Sequence, residues 1–424
     1  MKILFIHQNF PGQFQHLAPA LASQGHEVLA LTMTPAATGG QASWNGVRMV
    51  PYMPSRQSTP GIHPWLVDTE TKLVRGEAAF RACLELQRQG FHPDVVIAHP
   101  GWGESLFVKE VWPDARLAIY CEFFYQAHGA DVGFDPEFSE GPFTRARMRA
   151  KNFNNLLHFD LADGGISPTR WQADGFPSPL RDRIAVIHDG IDTDMLVPNP
   201  AVTLAFSTPS EKVTIRKTDE VITFVSRDLE PLRGYHRFMR ALPEILQRRP
   251  HARVLVVGGD GVSYGPKPDP ALYGARSWKQ IFLDEVRDTL GPRGMGRVHF
   301  LGRLSHADFV SVLQISSVHV YLTYPYVLSW SLLEAMSVSC AIVASDTAPV
   351  REAVVHDETG RLVDFFDPGQ LAQEVCALLD DAGARARLGG NARLFAQSNF
   401  DLRKVCLPQQ LRWLHGIAGS PLRS

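Results

Sequence analysis

Two successive doubly wound α/β domains are what this sequence predicts, and three observations carry the prediction. Short apolar runs alternate with longer amphipathic stretches from the first residues onward, the alternation stops once in a stretch rich in Pro, Ser and Thr, and it then resumes. At 424 residues the chain is also longer than one ordinary hydrophobic core organises.

The first series opens with a strand over residues 2–7, a loop, a helix over 14–24 and a second strand over 26–32. Further strands are expected over 47–52, 94–98, 117–120, 164–166 and 184–187, and their near-continuous apolar character suits a parallel sheet buried on both faces. Hydrophobic periodicity disappears beyond Val197, so the first domain is bounded at 1–196 and a linker is placed over 197–217. The second domain, 218–395, expects strands over 221–225, 253–257, 297–301, 318–322 and 341–344. Its helices are expected over 235–248, 278–290, 307–315 and 331–337. Apolar residues at helical spacing from 388 to 417, with Trp413 near the end, place the closing stretch 396–424 as a helix that crosses back to brace the first domain.

Composition removes several function classes. The 44 acidic and 42 basic residues nearly cancel, so no global field recruits nucleic acid or an anionic membrane. Cys83, Cys121, Cys340, Cys376 and Cys406 are scattered and never form a C-x-x-C pair, which argues against a disulfide framework and a zinc site and fits a reducing cytoplasm. The apolar run at the N-terminus is too short for a signal peptide or a membrane span. A cytoplasmic protein, at most peripherally attached to a membrane, is expected.

The most informative segment is Tyr326-Val-Leu-Ser329-Trp330-Ser331-Leu-Leu-Glu334, ahead of a short apolar strand. A helix opening on small polar residues directs free N–H groups and the positive end of its dipole toward phosphate, and a carboxylate one turn in suits a ribose diol. Arg227 and Arg233, six residues apart and closed by Gly234, follow the first strand of the second domain, where two planar forks can converge on a diphosphate.

With Arg227 and Arg233, the Gly302 turn after Val298-His-Phe-Leu, and Ser331-Leu-Leu-Glu334-Ala-Met before a strand and Ser345-Asp346, the second domain resembles the donor half of the GT-B glycosyltransferases of family 4. Ile187-His-Asp189-Gly190-Ile-Asp192 is similar to the family's segment at the end of the first domain, with Asp189 in place of the usual Asn. Ala162-Asp163-Gly-Gly-Ile166-Ser167 sits where the family has its Ala-Asp-x-x-Ile-x-x-Ser strand. The resemblance implies two Rossmann-like domains facing across a cleft. It also implies a nucleoside diphosphate sugar as co-substrate without further cofactor, an acceptor hydroxyl, transfer with retention, and no metal.

On that resemblance Glu334 accepts the ribose hydroxyls, Arg227 and Arg233 neutralise the diphosphate, and Gly302, Ser329, Trp330 and Ser331 belong to the donor site. The first carboxylate of the family's E-x7-E pattern falls on Tyr326, which points to a rearranged sugar pocket and keeps a catalytically silent nucleotide-binding subunit as a rival. A sugar-nucleotide epimerase ranks lower, for want of a larger acid/base set. Gly12 occupies the place of the family's glycine-rich first loop. His99, closing the strand over 94–98, is expected to emerge toward the sugar, and Glu122 to meet an acceptor hydroxyl. Arg145 and Arg149 share a helix face suited to acceptor phosphate or a membrane headgroup. The loop from Val262 to Trp278 is long enough to line the donor pocket, Gly258-Gly259-Asp260-Gly261 lacks dinucleotide spacing, and Asp192-Thr-Asp194 is taken as structural.

Overall fold

The computed structural model describes residues 1–33, 42–138, 141–207 and 212–419. The chain divides into two compact units, one formed by Met1–Gly190 with Arg403–Ser424 and the other by Ile191–Leu402.

The first unit begins with β1 (Lys2–Ile6), α1 (Leu17–Ser23), β2 (Glu27–Thr32), β3 (Ser43–Trp44) and β4 (Val47–Pro51). Next come α2 (Val67–Arg88), β5 (Val95–Ala98), α3 (Val108–Val111) and β6 (Arg116–Tyr120). Then follow α4 (Pro142–Lys151), α5 (Phe153–Leu161), β7 (Gly164–Ser167), α6 (Arg170–Asp174) and β8 (Ile184–Val186). The sheet order is β3-β4-β2-β1-β5-β6-β7-β8, parallel except for the β3–β4 pair. Ile3, Leu4, Phe5 and Ile6 are all fully buried, Ile3 pairing with Val28 on one side and Val95 on the other. Each such side chain contributes about 1.5–3 kcal/mol relative to exposure. Because the order reverses about β1, the carboxyl ends of β1 and β5 flank the crevice where doubly wound sheets place their polar groups.

The second unit contains β9 (Thr203–Ser207), β10 (Lys212–Arg216), β11 (Val221–Asp228), α7 (Tyr235–Arg248) and β12 (Arg253–Gly259). It continues with α8 (Pro270–Tyr273), α9 (Trp278–Met295), β13 (Val298–Gly302), α10 (His306–Ile315) and β14 (Val318–Tyr321). It closes with α11 (Trp330–Ser337), β15 (Ile342–Ser345), β16 (Arg361–Val363), α12 (Pro368–Asp380) and α13 (Ala382–Asn399). Its main sheet, β13-β12-β11-β14-β15-β16, is parallel throughout and reverses between β11 and β14. The predicted end of the helix at residue 290 corresponds to a break inside α9, where Gly291 takes φ +60° ahead of Pro292.

Three expectations are corrected. Residues 14–24 are not one helix: a 3-10 turn over Gly12–Phe14 carries the Phe14 ring into the core, 5.1 Å from Phe5, and α1 starts only at Leu17. The stretch 197–217 is not an unstructured linker, since β9 and β10 pair antiparallel within it, with Val213 and Ile215 buried between exposed Lys212, Thr214 and Arg216. Residues 208–211 of that stretch lie outside the described residues. The closing segment is also not one helix returning to the first unit. Leu388, Ala392 and Ala396 of α13 are buried in the second unit, where Gly389 lies so near the Ser339 carbonyl that a Cβ would sit 2.3 Å from its oxygen. Only α14 (Leu407–Gly419) packs in the first unit, where Leu414 joins Ile3 and Phe5 in one core cluster.

Candidate active site

Each unit carries polar groups at its own reversal point. In the second unit the turn after β11 brings Arg233 inward. Gly234, at φ +69°, makes this possible, because a Cβ there would fall 2.3 Å from Leu322 Cβ. The Arg233 side chain is almost wholly buried. Its Nη1 donates to Thr323 Oγ1 at 3.0 Å and to the Val327 carbonyl at 3.1 Å. The Tyr264 and Tyr326 rings lie 5.2 and 5.7 Å from its guanidinium carbon and 5.1 Å from each other. Among the described residues no carboxylate reaches Arg233 at ion-pair distance, so the two π faces hold the cation without neutralising it.

Tyr264 is itself fixed by Glu230, whose buried carboxylate accepts the N–H groups of Ser263, Tyr264 and Gly265 at 3.2, 3.4 and 3.1 Å. Burial raises the pKa of that carboxyl. Arg227, exposed, lies 5.8 Å from the same tyrosine ring. Asp228 holds Arg303 at 2.8 Å. At the start of α11, Ser329 caps the helix by accepting the Ser331 N–H at 3.3 Å, and its hydroxyl meets that of Ser331 at 2.8 Å. A cavity of about 560 Å³ is lined by Arg227, Arg233, Tyr264, Arg303, Ser329 and Ser331, among others, with no carboxylate among its described lining residues. Such a concave, cation-rich surface beside a helix start suits a polyanion.

In the first unit, His7 directly follows β1 and His99 directly follows β5. His7 Nδ1 accepts the Asn9 N–H at 3.0 Å, so its Nε2 carries the proton, and that atom lies 2.9 Å from Gln13 Oε1. Gln13 Nε2 in turn donates to Glu122 Oε1 at 3.1 Å. The second Glu122 oxygen is 3.3 Å from His99 Nε2, and His99 Nδ1 accepts the Gly101 N–H at 3.2 Å. A continuous line of polar groups, His7, Gln13, Glu122 and His99, thus crosses the crevice end of the sheet. Burial pushes the His7 imidazole down to about 3, keeping it neutral near pH 7. Beside the ends of β2 and β4 opens a second cavity of about 650 Å³, lined by Met33, Met53, Ser55, Arg56, Thr71 and Arg75 among others.

Comparison with known proteins places this architecture. The family described as Glycosyl transferase family 4 group matches residues 24–196, and that described as Glycosyl transferases group 1 matches residues 207–395. The chain belongs with the family 4-like GT-B glycosyltransferases. It is 24% identical over 429 residues to a glycogen synthase of Mycobacterium tuberculosis (strain CDC 1551 / Oshkosh), covering 96% of this chain and 92% of the relative. Over 213 residues it is 28% identical to a D-inositol 3-phosphate glycosyltransferase of Corynebacterium efficiens, covering 50% of this chain and 46% of that one. Among solved structures, the sucrose-phosphate synthase of Thermosynechococcus elongatus superposes with a TM-score of 0.73 at 16% identity, covering 99% of this chain and all of that one. Anabaena HepE in complex with UDP-glucose superposes at 0.63 and 17% identity, covering 98% of this chain and 100% of that chain. These structures share the fold.

Within this glycosyltransferase the expected site residues are distributed unevenly. Arg227, Arg233, Ser329 and Ser331 line the same cavity, with Tyr326 against Arg233. Trp330 instead packs on the apolar cluster of Leu332, Leu333 and Met336, because as the first residue of α11 its ring turns toward the core. Glu334 bonds His306 Nε2 at 2.8 Å, and that hydrogen bond raises the His306 pKa. Gly302, at φ +67°, turns the chain between β13 and Arg303. Gly12, at φ +49°, makes room for the His7 ring, since a Cβ would lie 2.2 Å from Nε2. His99 corrects its expectation: its ring is 3% exposed instead of emerging, sandwiched by Trp102 at 4.4 Å and Tyr120 at 5.5 Å. Glu122 stands beside it, whereas Arg145 and Arg149 lie exposed on α4 with no ion-pair partner among the described residues. Asp192 caps its own turn, accepting the Met195 N–H at 3.1 Å, and Thr193 bonds Asp401.

Sequence reading did not single out His7, Gln13, Arg303 or His306. For His7 a signal existed, because it ends the first strand as His99 ends the strand of residues 94–98. For Arg303 and His306 none did, since their roles depend on partners 75 and 28 residues away.

Proposed function

We propose that this glycosyltransferase moves a sugar from a nucleoside diphosphate donor to an acceptor hydroxyl with retention of anomeric configuration and without a metal. The observation that carries this reading is the second unit's cavity, where Arg227, Arg233 and the start of α11 line one space. The acceptor oxygen attacks the anomeric carbon on the face from which the diphosphate departs. The bond from that carbon to the phosphate oxygen breaks, and the departing phosphate takes the acceptor's proton. Arg227, Arg233 and the N–H groups of α11 stabilise the charge that develops on the leaving group. Glu334 would exchange His306 for the ribose hydroxyls. The HepE complex with UDP-glucose supports a sugar nucleotide as donor. The acceptor is assigned to the first unit, whose 650 Å³ cavity and His99–Glu122 pair offer room and hydrogen-bonding groups for a hydroxyl. No cofactor and no nucleic acid belong to this reading, which places the enzyme in the cytoplasm.

A second reading, a GT-B subunit that binds nucleotide without turning it over, draws on Tyr326 alone. The two separate by measuring nucleoside diphosphate release from a panel of nucleotide sugars, with wild type and Glu334→Ala side by side. Turnover of one donor, reduced about tenfold to a hundredfold in the variant by loss of charge-assisted hydrogen bonds, is expected. A nucleoside diphosphate that raises the wild-type melting temperature while no donor turns over, even with acceptors supplied, would favour the silent subunit.

A further inference from the structure

The carboxylate assigned to the ribose does not line the cavity assigned to the nucleotide. Arg227, Arg233, Arg303, Ser329 and Ser331 line that space, and so does His306, but Glu334 is not among its described lining residues. What the cavity presents at this place is the imidazole, whose Nε2 lies 2.8 Å from Glu334 Oε1.

The two partners differ in freedom. The Glu334 side chain is 13% exposed, on a helix whose Leu332, Leu333, Ala335 and Met336 are buried, whereas the His306 side chain is 68% exposed. His306 is the first residue of α10, directly after Ser305, whose hydroxyl caps the helix by accepting the Asp308 N–H at 3.2 Å. The cap secures the helix start without the imidazole, so the ring can swing aside at no cost in backbone hydrogen bonds. The carboxylate is therefore the fixed member of the pair and the imidazole the movable one.

The charged groups around the ring are Glu334 from α11, Arg303 from just beyond β13, Arg227 and Arg233 from the end of β11 and the turn after it, and Asp308 from α10 itself. Among the described residues only Glu334 reaches His306 at ion-pair distance, and Asp308 accepts the Ser305 hydroxyl at 2.7 Å. The hydrogen bond to Glu334 is the main influence on the imidazole and raises its pKa above the ordinary value.

We propose that His306 is a competing cap on Glu334: the imidazole holds the carboxylate in the empty site, and a nucleoside diphosphate binds fully only when its ribose diol takes that carboxylate over and the ring swings out. The inference rests on the donor-binding reading above and adds to it a residue that sets the pH window of binding. As a cation the ring holds the carboxylate through a charge-assisted bond, so the cap is strong in acid, and once deprotonated it is an ordinary neutral donor that the diol displaces readily. The diphosphate is met by Arg227 and Arg233, so the uncapped ring loses the acid that kept its proton. Binding then releases protons, and affinity rises with pH through the His306 titration.

The test is calorimetric titration of the full chain with UDP, GDP, ADP and CDP at pH 6 and pH 8, with His306→Ala and His306→Gln beside wild type. The variants carry the nucleotide's own phosphate titration, so the comparison isolates the imidazole. For the nucleotide that binds, the alanine variant should bind about tenfold more tightly than wild type at pH 6 and within about threefold of it at pH 8. The glutamine variant keeps a neutral donor and should follow the alanine variant's pH profile at no higher affinity. With the 2′,3′-dideoxy form of the same nucleotide, which has no diol to offer, the gain at pH 6 should vanish. A gain that persists there, an alanine variant that binds more weakly than wild type at both pH values, or profiles that coincide each overturn the cap while the donor reading stands, because the nucleotide still binds. If none of the four nucleotides binds wild type at pH 8, the donor reading and the cap fall together. His306 is exposed and held by one surface contact, so both variants should melt with the wild type.

Discussion

The two reversal points solve different problems with different chemistry. In the second unit, Arg227 and Arg233 stand without carboxylates at ion-pair distance among the described residues, and tyrosine faces take the place that an acid would fill beside Arg233. In the first unit, the groups after β1, β5 and β6 form a line in which one carboxylate, Glu122, serves a buried neutral His7 through Gln13 and faces His99 directly. One arrangement keeps positive charge available for a polyanion, and the other supplies paired donors and acceptors suited to hydroxyls. Sharing a strand topology therefore leaves the chemistry open, and the side chains that follow the strands decide it.

The largest expected difference between the units is in acid. Burial holds His7 and His188 at about 3 and His158 at about 4 in the first unit, against His319 at about 4 in the second. Their folded values lie below the unfolded value of about 6.5, so the unfolded chain takes up protons first and stability falls as pH drops below 6.5. Each ring costs about 2 kcal/mol at pH 5, so hydrogen exchange of the full chain between pH 7 and 5 should loosen the first unit more than the second. Equal loosening would erase the contrast.

Arg233→Met comes next. Removing the buried cation should weaken nucleoside diphosphate binding by about a hundredfold or more, measured calorimetrically, while Arg233→Lys recovers only part because an ammonium lacks the planar fork. If the methionine variant binds normally, the polyanion reading of the second unit fails.

Tyr326→Glu is the finer test. A carboxylate placed beside Arg233 would pair with it and draw charge from the diphosphate, lowering affinity about tenfold, whereas Tyr326→Phe keeps the π face and should change it less than about threefold. Similar losses in both variants would show that the hydroxyl matters, not the uncompensated charge.

Much of this was legible in the sequence, for physical reasons that also mark where reading stopped. Strands buried on both faces advertise themselves as apolar runs, which is why β1, β5, β6, β11, β12 and β14 are found near their true positions. Arg227 and Arg233 could be grouped because they lie at and just beyond the end of β11, and Ser329 and Ser331 because small polar residues open a helix ahead of Glu334. The hairpin β9–β10 was hidden by neighbouring Pro and Ser, although the alternation Lys212, Val213, Thr214, Ile215, Arg216 was there to be counted. His99 misled because the rings that bury it come from Trp102 nearby and from Tyr120 on another strand. The asparagines on the buried face of α5 are unreadable in one dimension, since they reveal their purpose only against the Pro100 and Phe123 carbonyls.

The second unit is inserted within the first, and Leu414 of the final helix completes the wall of apolar side chains around Ile3 and Phe5. During synthesis β1 therefore emerges well before Leu414, and its layer stays open on one side until α14 has been made. The inserted unit, contiguous from Ile191 to Leu402, can close first. The core around β1 is thus complete only once the segment beyond Leu402 is in place.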